Sequence, residues 1–380
     1  LSMAFSQKNP TYATGNWPAY ACKDASGNDH GDGMVVPMDP SKGVWQDHYA
    51  SVIEDVLIPL GADGVYLDNP YIVYQGCFDA SQGHLGQGGT YLFGGYATLM
   101  KKIRTVDPNF VLFFEQGIEA YLSSADTFSN LGHTDEPLAG VPNPNENVER
   151  VPLIETIYHD YIVFNSANAY PDISGGAYED HTATGNPSVL GEAYQASLSA
   201  GYVWGKMITH AEPQLSDPSL PLHESVNFDP SLLPLTEAAE YMKMLVKVRK
   251  SQAKDFLIYG QLLRSLSLNM GSNTYSYYNV NEANPSFDVK LPRVLNSVWK
   301  DSQGRIGIML MNYSNSSQSF TAAFNPGNYG IGNTFTLETL SLTPTAPIQN
   351  VTFGNPQTIT GNIALPLTMP ARSVLFYRIS

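Results

Sequence analysis

Apolar residues are laid out in two alternating textures along the first two-thirds of the chain. One texture is the short uncharged run: Gly64–Leu67 (GVYL) and Phe110–Phe114 (FVLFF) are the clearest, joined by Met34–Met38 (MVVPM), Thr127–Leu131, Leu153–Tyr158 (LIETIY) and Lys206–Thr209 (KMIT). Runs this short predict strands, and apolar character without alternation predicts strands covered on both faces, as in a parallel sheet. The other texture is periodic. Over Lys42–Leu60 the residues Val44, Tyr49, Val52, Ile53, Val56, Leu57 and Leu60 recur at three and four, and over Leu235–Lys250 the stripe is Ala238, Ala239, Met242, Leu245, Val246 and Arg249. Both are amphipathic helices by this pattern. Further helices are predicted over Thr90–Val106, stopped at Asp107-Pro108, over Val189–Trp204, and briefly around Ile118–Ser123.

Strand, loop and helix in repetition predict βαβ units and a parallel sheet. Beyond about Gly260 the helical stripe is lost. TYSYYNV, VLNSVWK, RIGIMLMNYS, FTLETLSL and SVLFYRI alternate or run apolar between Gly, Asn and Pro, which predicts an all-β antiparallel sandwich. The boundary is expected between Ser265 and Val294.

Composition narrows the partners. Asp and Glu total 35 against 20 for Lys and Arg, a formal charge of -15 that repels phosphate backbones and anionic lipid, so nucleic acid is not an expected partner. The sequence holds 23 Tyr and 4 Trp, rings with an apolar face and a polar edge on which sugars stack. No uncharged apolar run approaches the roughly 20 residues of a membrane span. The two cysteines, Cys22 and Cys77, are compatible with a disulfide and carry no zinc spacing, so neither a metal nor another cofactor is expected. Sequons at Asn312, Asn315 and Asn350, few lysines and much Asn, Ser, Thr and Tyr point to an extracellular glycoprotein.

The candidate chemistry sits at strand ends. GVYL is followed by Asp68 and FVLFF by Glu115. Ligands of parallel α/β sheets bind at the carboxyl ends of strands, and two carboxylates there suffice to hydrolyse a glycosidic bond. The competing structural readings are an Asx-type turn at Asp68-Asn69-Pro70 and a salt-bridged scaffold acid at Glu115. Residues that could line the same mouth are Tyr71, Asp79, His84, Asp135 and Glu136, together with His159 and Asp160 after LIETIY, and His210 and Glu212 after KMIT. The glycines of GHLGQGG lack the Lys-Ser/Thr ending of a phosphate cradle and read as a tight loop beside the substrate.

Taken together, GADGVYLDN, CFDASQGHLGQGG, the helix ending in KKIR, FFEQGIEAYLSSAD and VPLIETIYHDY resemble a family of glycoside-hydrolase-like (β/α)8 barrels. That family is similar in turn to endo-α-N-acetylgalactosaminidases and, more distantly, to α-amylase and α-galactosidase barrels. The resemblance spans about Met34–Gly260, although MVVPMDPSKGVWQ lacks the family's Met-Cys-Pro. It implies a TIM-type barrel over residues 1–265 followed by a β-sandwich over 266–380. It also implies Asp68 as the nucleophile on the fourth strand and Glu115 as the acid/base on the fifth. The α-galactosidase-like members instead take an acid from the sixth strand, for which Asp126 is the nearest counterpart. The expected activity is a secreted retaining glycosidase acting on an α-linked glycan. The alternative from another class is an inactive, glycan-binding or structural barrel outside the cell, and a metal-dependent hydrolase using His159, Asp160, His210 and Glu212 ranks third. On the family's numbering LIETIY is strand seven and KMIT strand eight, and LSMAFS or MVVPM is left for strand three. Eight strands close a barrel, so an N-terminal segment or separate chain is expected to supply the first two.

Overall fold

The computed structural model describes residues 4–6, 12, 14–30, 35–68, 77–78, 91–115, 119–129, 152–165, 195–196, 198–208, 235–278, 286–344 and 351–380. The chain divides into two compact units, Leu1–Asn130 and Leu131–Ser380. Within the second unit the helices just before the sandwich share a core with it.

In the first unit, β1 (Ala4–Ser6) and β2 (Val35–Pro37) pair antiparallel, Ala4 opposite Pro37. Among the described residues LSMAFS and MVVPM thus pair with each other, and neither is a strand of the parallel sheet. Helix α1 (Gly43–Val52) buries Trp45, Gln46, Tyr49 and Ala50, and runs into a wider π-helical turn over Ile53–Leu57, where the Ile58 N–H donates to the Ile53 carbonyl at 3.0 Å. The buried face is therefore narrower than the apolar periodicity predicts. Val44 and Leu60 are exposed.

Strands β3 (Gly64–Leu67), β4 (Val111–Phe114) and β5 (Thr127–Ser129) form a parallel ladder, with helix α2 (Tyr91–Val106) crossing from β3 to β4. Leu67, Leu112 and Phe114 are fully enclosed. The chains lie close: a Cβ on Gly64 would stand 2.6 Å from the Val111 carbonyl oxygen, and one on Gly95 of α2 2.6 Å from the backbone of Pro40 and Ser41.

The second unit opens with a correction. LIETIY is not a strand but helix α3 (Leu153–Tyr158), with Thr156 Oγ1 donating to the Pro152 carbonyl at 2.7 Å. Only Glu155 of its six residues is buried, in an ion pair with the buried Lys206 at 3.2 Å. The strand follows it, as β6 (Val163–Asn165), and pairs in parallel with Met207 of KMIT. Helix α4 (Leu235–Lys250) buries Tyr241, Met244, Leu245 and Val248, a stripe displaced from the predicted one, with Val246 exposed; α5 (Lys254–Leu257) follows.

The rest is antiparallel. The strands are β7 (Gln261–Leu263), β8 (Leu268–Asn269), β9 (Ser272–Tyr278), β10 (Ser286–Pro292), β11 (Val294–Lys300), β12 (Ile306–Asn312), β13 (Gln318–Phe324), β14 (Thr334–Leu342), β15 (Gln357–Thr360), β16 (Ile363–Met369) and β17 (Ser373–Ile379). Six of them form a sheet in the order β15-β14-β17-β12-β11-β7, which faces the three-stranded sheet β16-β13-β8, while β9 pairs with β10. Ile306, Ile308 and Leu310 of β12 point into the core between these sheets with Phe320, Phe324 and Phe335. Met309 and Met311 point the other way, into a core shared with Tyr241, Met244, Phe256 and Phe376. Both faces of β12 are covered, which is why its sequence is continuously apolar; β13, covered on one face, alternates strictly.

Gly307 marks the tightest point of this arrangement, since a Cβ there would lie 2.7 Å from the Phe256 ring and 2.8 Å from Phe376. Gly307→Ala should therefore destabilise the second unit by about 1–3 kcal/mol, the usual cost of overpacking. A thermal melt followed by near-ultraviolet circular dichroism checks this, with a clear drop in midpoint expected relative to the exposed Gly304→Ala as control for the mere addition of a methyl, allowing for the positive φ of 79° at Gly304.

Candidate active site

The register of β3 on β4 sets the site. Leu67 pairs with Phe114 in the parallel ladder, and the Glu115 N–H donates to the Leu67 carbonyl at 3.1 Å. Asp68 and Glu115 are the next residues on their strands, so both stand at the carboxyl ends of paired neighbours, which in a parallel sheet run about 4.8 Å apart. Glu115 is buried and Asp68 half-buried. The parallel ladder brings both residues to neighbouring strand ends.

A buried tyrosine lies near Asp68, and two more pack around Phe114. Tyr49 on α1 is buried, and its phenol is held far above the ordinary range, first by burial and then by the negative charge of Asp68, so it stays a neutral hydroxyl. Next to Glu115, the Phe114 ring stacks on Tyr121 at 4.9 Å, and Tyr121 meets Tyr96 edge-on at 5.6 Å. Burial likewise raises the phenols of Tyr96 and Tyr121, and both hydroxyls are enclosed with no hydrogen-bond partner among the described residues. Asp39, fully buried, adds to the effect on Tyr96. Its carboxylate accepts from Ser41 N–H at 2.8 Å and Ser41 Oγ at 2.7 Å. Sequence reasoning passed over Asp39, though it carries the same signal as Asp68: an apolar strand, an acid, then a proline within two residues (MDP beside LDNP).

Asp126 belongs elsewhere. It precedes β5, at the amino end of the strand and opposite the tips of β3 and β4. Its carboxylate accepts from the Leu112 N–H at 2.7 Å and from Arg104 at 2.6 Å, and Arg104 also donates to the Phe110 carbonyl at 2.6 Å. This acid pins α2 to the bottom of the ladder. It is not the sixth-strand acid that the α-galactosidase-like resemblance would require.

His159 is a core residue of the second unit. It follows a helix and not a strand, donates from Nδ1 to the Gly260 carbonyl at 2.8 Å, and packs on Trp299 with ring centroids 4.7 Å apart. Gly205, at φ 85°, leaves room for the imidazole: a Cβ there would fall 2.2 Å from His159 Nε2. Asp160 beside it is exposed. Tyr71, Asp79, His84, Asp135, His210, Glu212 and Asn350 lie outside the described residues. Among the described residues no three His, Cys, Asp or Glu side chains cluster as metal ligands, and no helix is long and apolar enough to cross a membrane.

Of the sequons, Asn312 is enclosed. Its Nδ2 faces the carbonyls of Ser316, Met369 and Pro370 at 2.7–3.2 Å, and its Oδ1 accepts from Ser314, so it anchors the turn after β12 and leaves no room for a glycan. Asn315 is part-exposed, with Arg372 donating to its Oδ1. Cys22 and Cys77 are both fully buried in the first unit, where the Phe78 N–H donates to the Lys23 carbonyl at 2.9 Å.

Three comparisons place this geometry among known proteins. A family described as a domain of unknown function (DUF6259) matches residues 2–170. No curated protein matches the sequence. Solved structures do match over the whole chain. A noncanonic maltogenic alpha-amylase, AmyB, from Thermotoga neapolitana is 13% identical with a TM-score of 0.53, covering 100% of this chain and 76% of that one. An alpha-amylase from Geobacillus thermoleovorans, solved with acarbose, is 9% identical with a TM-score of 0.55 and the same coverage. An Anoxybacillus alpha-amylase is 10% identical with a TM-score of 0.55, covering 100% and 75%. At these identities the likeness is one of fold, that of an α-amylase-like glycoside-hydrolase barrel carrying a β domain.

Burial lowers the basicity of His159, with the nearby Arg249 charge acting in the same direction, against smaller opposing effects of the Gly260 and Gly205 carbonyls and Glu155. The unfolded chain, with an ordinary histidine near 6.5, therefore takes up a proton at a higher pH than the folded one. Stability from this residue is complete above about pH 6.5 and falls as the pH drops below it. Thermal midpoints measured from pH 7.5 to 5 should decline, and His159→Phe should start lower but decline less; an equal slope in both would refute the neutral buried imidazole.

Proposed function

We propose that the chain is a glycoside hydrolase in which Asp68 is the nucleophile and Glu115 the general acid/base. The observation that supports the reading is the Leu67–Phe114 register, after which each strand continues into an acidic residue at its carboxyl end. In such a reaction Asp68 attacks the anomeric carbon while Glu115 protonates the departing glycosidic oxygen. Glu115, then ionised, takes a proton from the water that releases the sugar from Asp68. Carboxyl groups about 5–5.5 Å apart suit this retaining course, and neighbouring tips in a parallel sheet are spaced to supply it. The roles assigned to each acid follow the resemblance to amylase-like and endo-α-N-acetylgalactosaminidase-like barrels, as does the choice of an α-linked glycan.

The alpha-amylase folds that match the chain support a carbohydrate substrate without naming the sugar. Extracellular placement belongs to the same proposal, supported by composition and by the part-exposed sequon at Asn315. So does a further segment completing the barrel, which rests on the eight strands that the resemblance to (β/α)8 barrels implies.

Turnover on a panel of α- and β-linked nitrophenyl glycosides tests the reading. An α-linked member should be hydrolysed. Glu115→Gln should lower kcat about 10²–10⁴-fold, the range for loss of a general acid, and Asp68→Asn at least as much, with thermal midpoints unchanged. Asp126→Asn should lower the midpoint and leave kcat nearly intact. Normal turnover with either Asp68 or Glu115 replaced would sink the assignment.

A further inference from the structure

A cleft of about 630 Å³ opens in the second unit between the segment Arg264–Ser267, the end of β13 with its following 3-10 turn (Pro326–Tyr329), and the tight turn at Asn362. It contains no residue of the Asp68–Glu115 pair. Its volume lies within the range of about 300–1,000 Å³ typical of small-molecule sites.

The walls are fixed before any ligand arrives. Asn296 of β11 holds Leu266 at both ends, accepting from its N–H at 2.7 Å and donating to its carbonyl at 3.2 Å, and Ser265 Oγ donates to the Asn296 carbonyl. Opposite, Phe324 and Tyr329 stack with centroids 5.4 Å apart and planes within 12°, and Tyr329 Oη donates to the Arg264 carbonyl at 3.0 Å, tying the two walls together. Asn325 caps the 3-10 turn through Gly327, and Gly330 ends it in the left-handed region at φ 72°. The third wall turns at Gly361, φ 87°, whose N–H donates to the Asn333 carbonyl. Ordering costs that a mobile site would impose on binding are thus largely absent.

What the cleft offers is chemically one-sided. The lining contains three carboxamides (Asn325, Asn328, Asn362), two serine hydroxyls and the exposed Arg264, over a tyrosine and phenylalanine. Among the described residues no carboxylate lines it, although the chain has 35 acids against 20 bases. A cation finds no partner there, and one guanidinium alone does not hold a polyphosphate. A purely apolar ligand would strand the amides unpaired, which is costly. Many neutral donors and acceptors beside an aromatic surface match a ring that carries hydroxyls on its edge and C–H groups on its face.

We propose that this cleft is an oligosaccharide-binding site, with Arg264, Asn328 and Asn362 reading hydroxyls and Tyr329, backed by the buried Phe324, supplying the aromatic surface. It holds glycan independently of the carboxylate pair, and the claim does not rest on the hydrolase reading.

Affinity electrophoresis of the full chain carrying Asp68→Asn, in gels containing soluble starch, galactomannan or polygalacturonate, tests it; turnover by the unmodified chain is scored separately, so failure of one reading is not failure of the other. At least one polymer should retard the protein, and adding Arg264→Ala or Asn328→Ala should weaken that retardation at least 10-fold in apparent Kd. Asn362→Ala, on the third wall, repeats the measurement should either variant lose its native melt. Retardation by neutral polymers alone assigns Arg264 to hydroxyls, and preferential retardation by polygalacturonate assigns it to a sugar carboxylate; both support the site. No retardation by any of the three, or equal retardation with and without the cleft substitutions, overturns it.

Discussion

The structure around the candidate active site depends on a single backbone register. Parallel pairing of Leu67 with Phe114 fixes which residues emerge at the strand tips, and a slip of one residue would turn every side chain of β4 to the other face. Several contacts away from the strand tips hold that register. Gly64 allows β3 to press against Val111, Leu67 and Phe114 are fully enclosed, and Arg104 with Asp126 clamps the far end of the ladder. These contacts fix the positions at which Asp68 and Glu115 leave the ladder.

The second unit is built on another constraint, a six-stranded sheet that must cover both of its faces. One face takes the smaller sheet, the other takes α4 and α5, and β12 passes through the middle with every residue buried. Several polar groups caught in this packing find partners in place, although Arg249 Nε and Nη2 are buried with no hydrogen-bond partner among the described residues. Glu155 pairs with Lys206, His159 reaches the Gly260 carbonyl, and Arg249 donates to the carbonyls of Gly205 and Lys206. Residues of catalytic type are thus used here as internal fasteners, which explains why His159 looked like a strand-end candidate from sequence.

Much of this was legible in the sequence where pattern and length agreed. GVYL and FVLFF are uncharged, bounded by turn residues and followed by an acid, and they are strands with Asp68 and Glu115 at their ends. The sandwich was equally plain from its alternation. LIETIY misled because six residues satisfy strand and helix alike; what decides is Pro152 at its start and the exposure of Leu153 and Ile157, neither visible as periodicity. The actual strand, Val163–Asn165, is too short to stand out. Asp126 and Asn312 show the same limit from the chemical side, since nothing local says that a carboxylate will meet Arg104 or that a sequon amide will be folded inward. The cleft of the second unit was illegible altogether, because its walls come from segments about 60 and 100 residues apart that only the tertiary fold joins.

The central claim, that Asp68 attacks the substrate while Glu115 beside it transfers the proton, is tested most directly by trapping the intermediate. The chain is incubated with an activated 5-fluoro glycosyl fluoride of the sugar it turns over, digested, and its adduct located by peptide mass spectrometry. A glycosyl ester on the Asp68 carboxylate is the predicted result. An adduct on any other residue, or complete turnover with inversion of the anomeric configuration and no adduct, would contradict the account.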